Sequence, residues 1–127
     1  MSHRPVNNLY PVFLKLDHLK VLVVGGGHVG EEKLNSLLKT APGANITAVA
    51  IEFSEAIRKM AEHHPALQLI QKPFAAADLF EKDVVIAATN DKALNSLVKI
   101  AASDAGILAN IADTPELCDF YLGSIVN

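Results

Sequence analysis

Four consecutive aliphatic residues, Val21–Val24, are followed at once by the segment Gly-Gly-Gly-His-Val-Gly at 25–30. An apolar run without polar alternation is typical of a strand buried on both faces of a parallel sheet. Glycines at this spacing, placed between such a strand and a helical pattern, are typical of a dinucleotide-binding turn. Of all the features in this sequence, this junction restricts the possible folds most.

Each glycine of the G-x-G-x-x-G pattern has a distinct expected role. Gly25 permits the tight turn, Gly27 lets the backbone approach a pyrophosphate, and Gly30 lets the helix pack closely on the strand. The helix would begin near His28 and Val29, where free N–H groups attract phosphate oxygens. The alternative is a glycine-rich turn that only packs the helix, with His28 an ordinary exposed residue.

The rest of the chain alternates between strand and helix patterns. Pro42-Gly43, Ser54 as an N-cap, Asn90 or Asp91 as an N-cap, and Gly106 mark helix boundaries. This alternation predicts an α/β, Rossmann-like, doubly wound and mainly parallel sheet of about five to six strands. Beyond Lys20–Val24, the predicted strands are Asn45–Ile51, Leu67–Gln71, Asp83–Ala88, Ile107–Ile111 and Tyr121–Val126, with a loop and short helical turn over Phe74–Phe80.

Composition excludes several classes of protein. The chain has 127 residues, 50% of them hydrophobic and 20% charged, which argues for one folded domain over 1–127 rather than disorder. No apolar run approaches the roughly 18 residues of a membrane span. A net charge of −3 argues against nucleic acid as a partner. The N-terminus lacks a signal-peptide pattern, so we expect a cytoplasmic protein. Cys118, the one cysteine, forms no internal disulfide, and we expect no resident metal site.

The residues after the second predicted strand bear on the choice of cofactor. Ala50 stands where an acid that holds the adenosine ribose is commonest, and Glu52 follows two residues later. We expect Ile51 and Glu52 to meet the adenosine, although Glu52 also fits a solvated loop carboxylate. No Arg or Lys lies between Ala50 and Ile57 to bind a 2′-phosphate, which favours NAD over NADP. After the fourth strand, Thr89 with its two neighbours either lines the cofactor site or caps the next helix.

Several segments resemble the bifunctional siroheme-synthesis enzymes, which combine precorrin-2 dehydrogenase with sirohydrochlorin ferrochelatase. The resemblance extends over roughly residues 9–126, which is nearly the whole chain. The glycine turn is common to many proteins, whereas the segment that begins Asn-Ile-Ala-Asp-Thr-Pro is much more specific. The resembling segments are 10–16, 21–30, 86–91, 94–95 and 110–120.

This resemblance implies an NAD-dependent oxidation of precorrin-2 to sirohydrochlorin, followed by insertion of ferrous iron, a substrate, to give siroheme. It assigns Asp113 to both reactions and assigns contacts with NAD to His28, Val29, Ile51 and Glu52. In the family, a helical region follows this domain, forms a homodimer and completes the tetrapyrrole cleft. This sequence ends before that region, so we expect the chain on its own to be a poor catalyst.

The chemistry is consistent with the role that the resemblance gives to Asp113. Both reactions release protons, and a carboxylate accepts protons and holds an iron ion in passing. The alternative is a turn residue before Pro115, since Asp-x-Pro is a common turn sequence. The resemblance also brings Ser124 near the substrate. We interpret Cys118 as a packed small residue and His63-His64 as a solvated helix end.

Two other functions remain open at this point. One is an NAD-sensing regulatory module without catalysis, which usually keeps the acid that Ala50 replaces. The other is S-adenosylmethionine binding for methyl transfer, which also uses a glycine-rich turn and an acid near Ala50. A regulatory module would not need the Asp113-Thr114-Pro115 segment, and a methyl-transfer protein would have no use for NAD.

Overall fold

The computed structural model describes residues 8–122 and has the predicted α/β architecture. Among these residues, no helix is long and apolar enough to cross a membrane. Single-turn 3₁₀ helices lie at Leu16–His18, Ala76–Leu79 and Pro115–Leu117. The strands are β1 (Lys20–Val24), β2 (Asn45–Ala50), β3 (Leu67–Gln71), β4 (Val84–Ala87) and β5 (Leu108–Ile111), and the helices are α1 (His28–Thr40), α2 (Glu55–His63) and α3 (Lys92–Ala105).

The five strands form one parallel sheet in the order β3-β2-β1-β4-β5. The chain runs outward from β1 to β3 and then returns to the other side of β1 with β4. This reversal between β1 and β4 is the point at which doubly wound sheets bind ligands, beyond the carboxyl ends of the strands. The Rossmann-like fold predicted from the sequence is therefore confirmed.

Alternate residues of the central strands build a separate core on each face of the sheet. Val21 and Val23 of β1 pack with Leu34 of α1 and Ile57 of α2 on one face. On the other face, Leu22 and Val24 pack with Val98 and Ala102 of α3. Because both faces are covered, these strands read as continuous apolar runs in the sequence.

The helix ends agree with the sequence signals. The Ser54 hydroxyl accepts from the Ile57 N–H at 3.2 Å, and Asp91, not Asn90, caps α3 by accepting from the Leu94 N–H at 3.1 Å. Gly106 ends α3 in the left-handed conformation, with φ 71°. Four strand bounds differ from the prediction by a residue, since β2 ends at Ala50, β4 spans Val84–Ala87 and so differs at both ends, and β5 begins at Leu108.

The predicted sixth strand is not formed in the part of it that the structure describes. Tyr121 and Leu122 have no strand conformation, and the remainder lies outside the described residues. Instead, the segment after Pro115–Leu117 covers the outer edge of β5 through its backbone and its side chains, and the Asp119 N–H donates to the Ala109 carbonyl at 2.8 Å. The Asp119 carboxylate accepts from the Ala109 N–H at 2.9 Å, and the Cys118 sulfur accepts from the Ile111 N–H at 3.1 Å.

Candidate functional site

A cleft of about 400 Å³ opens beyond the carboxyl ends of the central strands. It lies at the reversal between β1 and β4, where the fold predicts a ligand site. Most of its wall comes from the segments that follow the strands. The lining residues are Val24, Gly25, Gly26, Gly27, His28, Val29, Val49, Ala50, Ile51, Glu52, Lys72, Pro73, Phe74, Ala88, Thr89, Asn90, Asp91 and Leu94.

Three glycines of the turn are required by packing within the protein itself. A Cβ at Gly25 would lie 2.0 Å from the Ala88 carbonyl oxygen, and its φ of +143° disfavours any other residue. A Cβ at Gly26 would lie 1.9 Å from the Glu52 carbonyl oxygen. A Cβ at Gly30 would lie 2.8 Å from the Gly25 carbonyl oxygen, so this glycine allows α1 to pack against the turn. The sequence pattern did not identify the need for glycine at Gly26.

Gly27 differs from its neighbours because nothing lies within 4 Å of the position its Cβ would take. Its φ of −105° is accessible to other residues, so neither internal packing nor a positive φ explains a glycine there. Gly27 is exposed and lines the cleft. This vacant position fits a ligand that approaches the backbone closely, as a pyrophosphate does in this fold.

The N-terminus of α1 faces the same part of the cleft. The helix begins at His28, and no side chain caps it. Its first bond runs from the Glu31 N–H to the Gly27 carbonyl at 2.9 Å, so the N–H groups of His28, Val29 and Gly30 precede the bonded turns. The His28 imidazole is exposed and lies 3.6 Å from Glu31. These N–H groups suit an anion.

On the β2 side of the cleft, Ile51 and Glu52 are both exposed, Ile51 to 69%. The backbone carbonyl of Ile51 is held by the Gln71 side chain, which donates to it at 3.0 Å. An exposed apolar side chain beside an exposed carboxylate suits an adenosine, because the flat face of the base packs on apolar side chains and the ribose carries hydroxyl donors. Both residues line the cleft, and their contact with adenosine stays a prediction.

The structure adds a cation to the cleft that the sequence analysis missed. Lys72 follows β3, and its N–H donates to the Ala50 carbonyl at 2.9 Å, which places it beside the end of β2. Its ammonium donates to the Asp78 carboxylate at 2.6 Å and to the Pro73 carbonyl at 2.8 Å. Lys72 lies outside the segment from Ala50 to Ile57, in which a basic residue for binding NADP would be expected. It reaches the end of β2 because β3 pairs with β2 in the sheet.

A buried amide holds the β4 side of the cleft. Asn95 of α3 is 3% exposed. Its Nδ2 donates to the Thr89 carbonyl at 2.9 Å, and its Oδ1 accepts from the Thr89 hydroxyl at 2.6 Å. The same hydroxyl accepts from the Asp91 N–H at 3.1 Å. Thr89 is thus fixed by both its backbone and its side chain, and Asn95 is a second residue that the sequence analysis did not select.

Asp113 is exposed and does not line the cleft, but it lies beside the β4 segment that does. The Ala112 N–H donates to the Ala87 carbonyl at 2.9 Å, which joins the end of β5 to the end of β4. Asp113 has φ 57°, a left-handed conformation that aspartate tolerates better than most residues. The Thr114 N–H closes the turn on the Ile111 carbonyl at 3.3 Å. Asp113 therefore lies after the end of β5, as predicted, and it is also a turn residue, which was the alternative interpretation.

Cys118 anchors this turn to β5. Its sulfur accepts from the Ile111 N–H and lies 3.2 Å from the Ile111 carbonyl and 3.5 Å from the Thr114 carbonyl. The side chain is half-buried, in keeping with the interpretation of a packed small residue. Cys118 thus connects both ends of the turn that presents Asp113.

Next to Cys118, the carboxyl group of Asp119 has a lowered pKa. The hydrogen bond from Lys99, 2.7 Å away, lowers the pKa of Asp119, and partial burial opposes this shift. The bond from the Ala109 N–H and the charge of Lys99 lower it further. Asp119 is therefore held as a carboxylate at the edge of β5, away from the cleft.

The structure brings together seven of the eight residues predicted to bind a cofactor, and Gly30 packs directly behind them. His63 and His64 lie at the end of α2 and do not line the cleft. Ser124 lies outside the described residues. Within residues 8–122, no group of three or more His, Cys, Asp or Glu side chains could hold a metal ion.

Comparisons with known proteins give a consistent result. The chain matches the model of an NAD(P)-binding family over residues 12–124. It is 40% identical over 117 residues to a siroheme synthase of Methylococcus capsulatus, covering 92% of this chain and 24% of that protein. It is 38% identical over 118 residues to siroheme synthase 2 of Yersinia enterocolitica, covering 93% and 24%. Among solved structures, the precorrin-2 dehydrogenase SirC superposes with a TM-score of 0.75 at 30% identity, covering 91% of this chain and 55% of that one. The chain thus spans about a quarter of the length of these siroheme synthases.

Proposed function

The chain belongs to the NAD(P)-binding family whose model it matches over residues 12–124, and we propose that it is the NAD-binding domain of a precorrin-2 dehydrogenase. The observation that carries the proposal is the vacant position at Gly27, in a glycine turn at the switch point of the sheet. The likeness to siroheme synthases and to a precorrin-2 dehydrogenase supports the substrate assignment.

In the proposed reaction, precorrin-2 gives a hydride to NAD⁺ and a proton to a base, so that the products are sirohydrochlorin, NADH and a proton. The protein has to bind the dinucleotide, hold the macrocycle against it and accept the proton. Positioning of this kind can account for a large part of a rate enhancement.

Binding of the dinucleotide falls to the three walls of the cleft. The backbone at Gly25 and Gly27 with the N–H groups of His28 and Val29 would hold the pyrophosphate, since helix N-termini attract anions. Gly30 supports this turn from behind. Ile51 and Glu52 would contact the adenosine, and Thr89 would contact the half of the cofactor that lies over β4. The fixed position of Thr89 supports this assignment.

Asp113 is the residue to which we assign proton acceptance. Its carboxylate is exposed at the carboxyl end of β5, next to the β4 segment that lines the cleft. A substrate lying over β4 and β5 would meet both. An exposed carboxylate on a turn anchored by Cys118 can take a proton from the macrocycle without a change in the backbone.

Iron insertion is the second activity that the siroheme synthases suggest for the whole protein. This step requires removal of two pyrrole protons, and Asp113 would accept a proton here as well. No cluster of three metal-binding side chains occurs within residues 8–122. We propose that ferrous iron is a substrate rather than a resident cofactor and that the Asp113 carboxylate contacts it in passing.

Two assays separate this proposal from its alternatives. Calorimetric titration with NAD and with S-adenosylmethionine distinguishes a dinucleotide site from a methyl-donor site. NADH formation on addition of precorrin-2 then distinguishes a dehydrogenase from an NAD-sensing module. The proposal requires NAD binding and precorrin-2-dependent NADH formation. Binding of S-adenosylmethionine alone, or binding of NAD without oxidation of precorrin-2, would contradict it.

A further inference from the structure

The ion pair between Lys72 and Asp78 bears on which dinucleotide the cleft accepts. Among the described residues that line the cleft, Lys72 is the only lysine or arginine. It lies at the end of β3 beside Ala50, where this fold distinguishes a ribose hydroxyl from a ribose 2′-phosphate. A free ammonium there would favour a 2′-phosphate, which carries about two negative charges.

The ammonium of Lys72 is not free. Two of its three donors are used, one by the Asp78 carboxylate at 2.6 Å and one by the Pro73 carbonyl at 2.8 Å. The Asp78 side chain is only 16% exposed, and its Oδ2 also accepts from the Ala75 N–H at 2.8 Å. The carboxylate is therefore fixed by the backbone, and it holds the lysine rather than following it.

The other charge at this end of the cleft is unfavourable for a phosphate. Glu52, two residues after Ala50, is exposed in the wall and is an acid. With Lys72 neutralised by Asp78, a 2′-phosphate would enter a region of net negative charge. A 2′-hydroxyl carries no charge and meets no such penalty.

We propose that Asp78 sets the preference for NAD over NADP by keeping the Lys72 ammonium away from the 2′ position. The inference rests on the proposed function, because it concerns the adenosine end of the same dinucleotide. The Lys72–Asp78 ion pair is thus a second basis for selecting NAD, in addition to the lack of Arg or Lys between Ala50 and Ile57.

The test compares the dissociation constants of NAD and NADP by calorimetry for the wild type, Asp78→Asn, Lys72→Gln and the double variant. The asparagine keeps the oxygen that accepts from Ala75 but carries no charge, so Lys72 is released. We expect Asp78→Asn to shift the NADP-to-NAD affinity ratio toward NADP by about tenfold or more, the effect of one charge interaction in a partly screened site. The double variant should lose this gain, and Lys72→Gln alone should shift the ratio further toward NAD.

Asp83→Asn is the matched control, because Asp83 also accepts a backbone N–H, that of Lys20 at 2.7 Å, but does not line the cleft. It should leave the ratio unchanged. A ratio unchanged in Asp78→Asn overturns the inference. If that variant does not fold, an unchanged ratio in Asp78→Ala overturns it equally. If the wild type binds NAD and the variant leaves the affinity ratio unchanged, only this inference is refuted. If the wild type binds neither dinucleotide, the proposed function is refuted as well.

Discussion

Single residues decide whether the glycine turn is a binding site or only a packing device. Gly25, Gly26 and Gly30 are accounted for by contacts within the protein, and Gly27 is not. The consensus pattern predicted a turn role for Gly25, which has a φ of +143°, and a packing role for Gly30, but not the contact that a Gly25 Cβ would make with the Ala88 carbonyl. It gave no reason for Gly26, whose close neighbour is the Glu52 carbonyl in a distant part of the sequence.

Gly27→Ala tests the vacant position directly. The new methyl group has no protein atom within 4 Å, so the melting temperature should stay unchanged. It would occupy the space needed by the pyrophosphate, and such overpacking costs about 1–3 kcal/mol, or roughly 5- to 150-fold in NAD affinity. Calorimetry and thermal unfolding measure the two effects. Gly43→Ala is the control, since Gly43 is equally open but lies outside the cleft. Equal NAD affinity in both variants would refute the proposed role of Gly27.

Asp113→Asn tests proton acceptance at the residue scale. The amide keeps the size of the side chain and suits the left-handed conformation at φ 57°, so the turn should persist. Loss of a general base typically lowers a rate by about 10²–10⁴-fold. We expect precorrin-2 oxidation to fall by this amount while NAD affinity stays unchanged, because Asp113 does not line the cleft. Near-normal oxidation by Asp113→Asn would make Asp113 a turn residue only.

At the scale of elements, the sequence predicted the strands and the helix caps closely but not the contacts between elements. Buried parallel strands and helix caps such as Ser54 and Asp91 are local features, so a short stretch of sequence is enough to predict them. Lys72 lines the cleft because β3 lies beside β2, and Asn95, which does not line it, holds the lining residue Thr89 from α3. Their side-chain partners lie within six residues in the sequence, but these contacts form across loops and helix starts, where no helix or strand periodicity predicts them.

Asn95 joins α3 to the β4 end of the cleft. We expect Asn95→Leu to lower both the stability of the fold and the affinity for NAD. The leucine would leave the Thr89 carbonyl and hydroxyl without their buried partner, at a cost of about 1–3 kcal/mol in the free energy of unfolding. NAD affinity should also fall, since Thr89 lines the cleft. Urea unfolding measures the first effect and calorimetry the second. Ser96→Ala, an exposed neighbour on α3, should change neither, and a stable Asn95→Leu would contradict the account.

The edge of β5 should respond to acid through Asp119. The pKa of Asp119 is lowered from its ordinary value of 3.8, chiefly by the hydrogen bond from Lys99. A lowered pKa stabilises the folded state above that ordinary value, and this contribution is lost as the pH falls through the lowered pKa. Asp119→Asn should therefore be less stable than the wild type near neutrality, and the difference should shrink as the pH falls below 3.8. Asp104→Asn, an exposed aspartate of α3, serves as the control. A difference independent of pH would contradict this assignment.

At the scale of the whole molecule, the fold builds a dinucleotide cleft but leaves the proposed base open to solvent. Asp113 is exposed, and among the residues described it lies outside the cleft wall. The chain corresponds to about a quarter of the siroheme synthases it resembles, at 24% of their length. We expect the 127-residue chain to turn over precorrin-2 more slowly than a protein of their full length, because loss of substrate positioning removes rate enhancement. Equal steady-state rates for the two proteins would contradict this expectation.

The most direct measurement of the central claim is a single-turnover reaction with the chain in excess over precorrin-2 and with saturating NAD. These conditions detect chemistry even when steady-state turnover is slow. The account predicts one NADH formed per precorrin-2 consumed, with sirohydrochlorin as the product and with no reaction when NAD or the chain is omitted. Binding of NAD by the chain with no NADH formed in this experiment would contradict the claim that its cleft serves precorrin-2 oxidation.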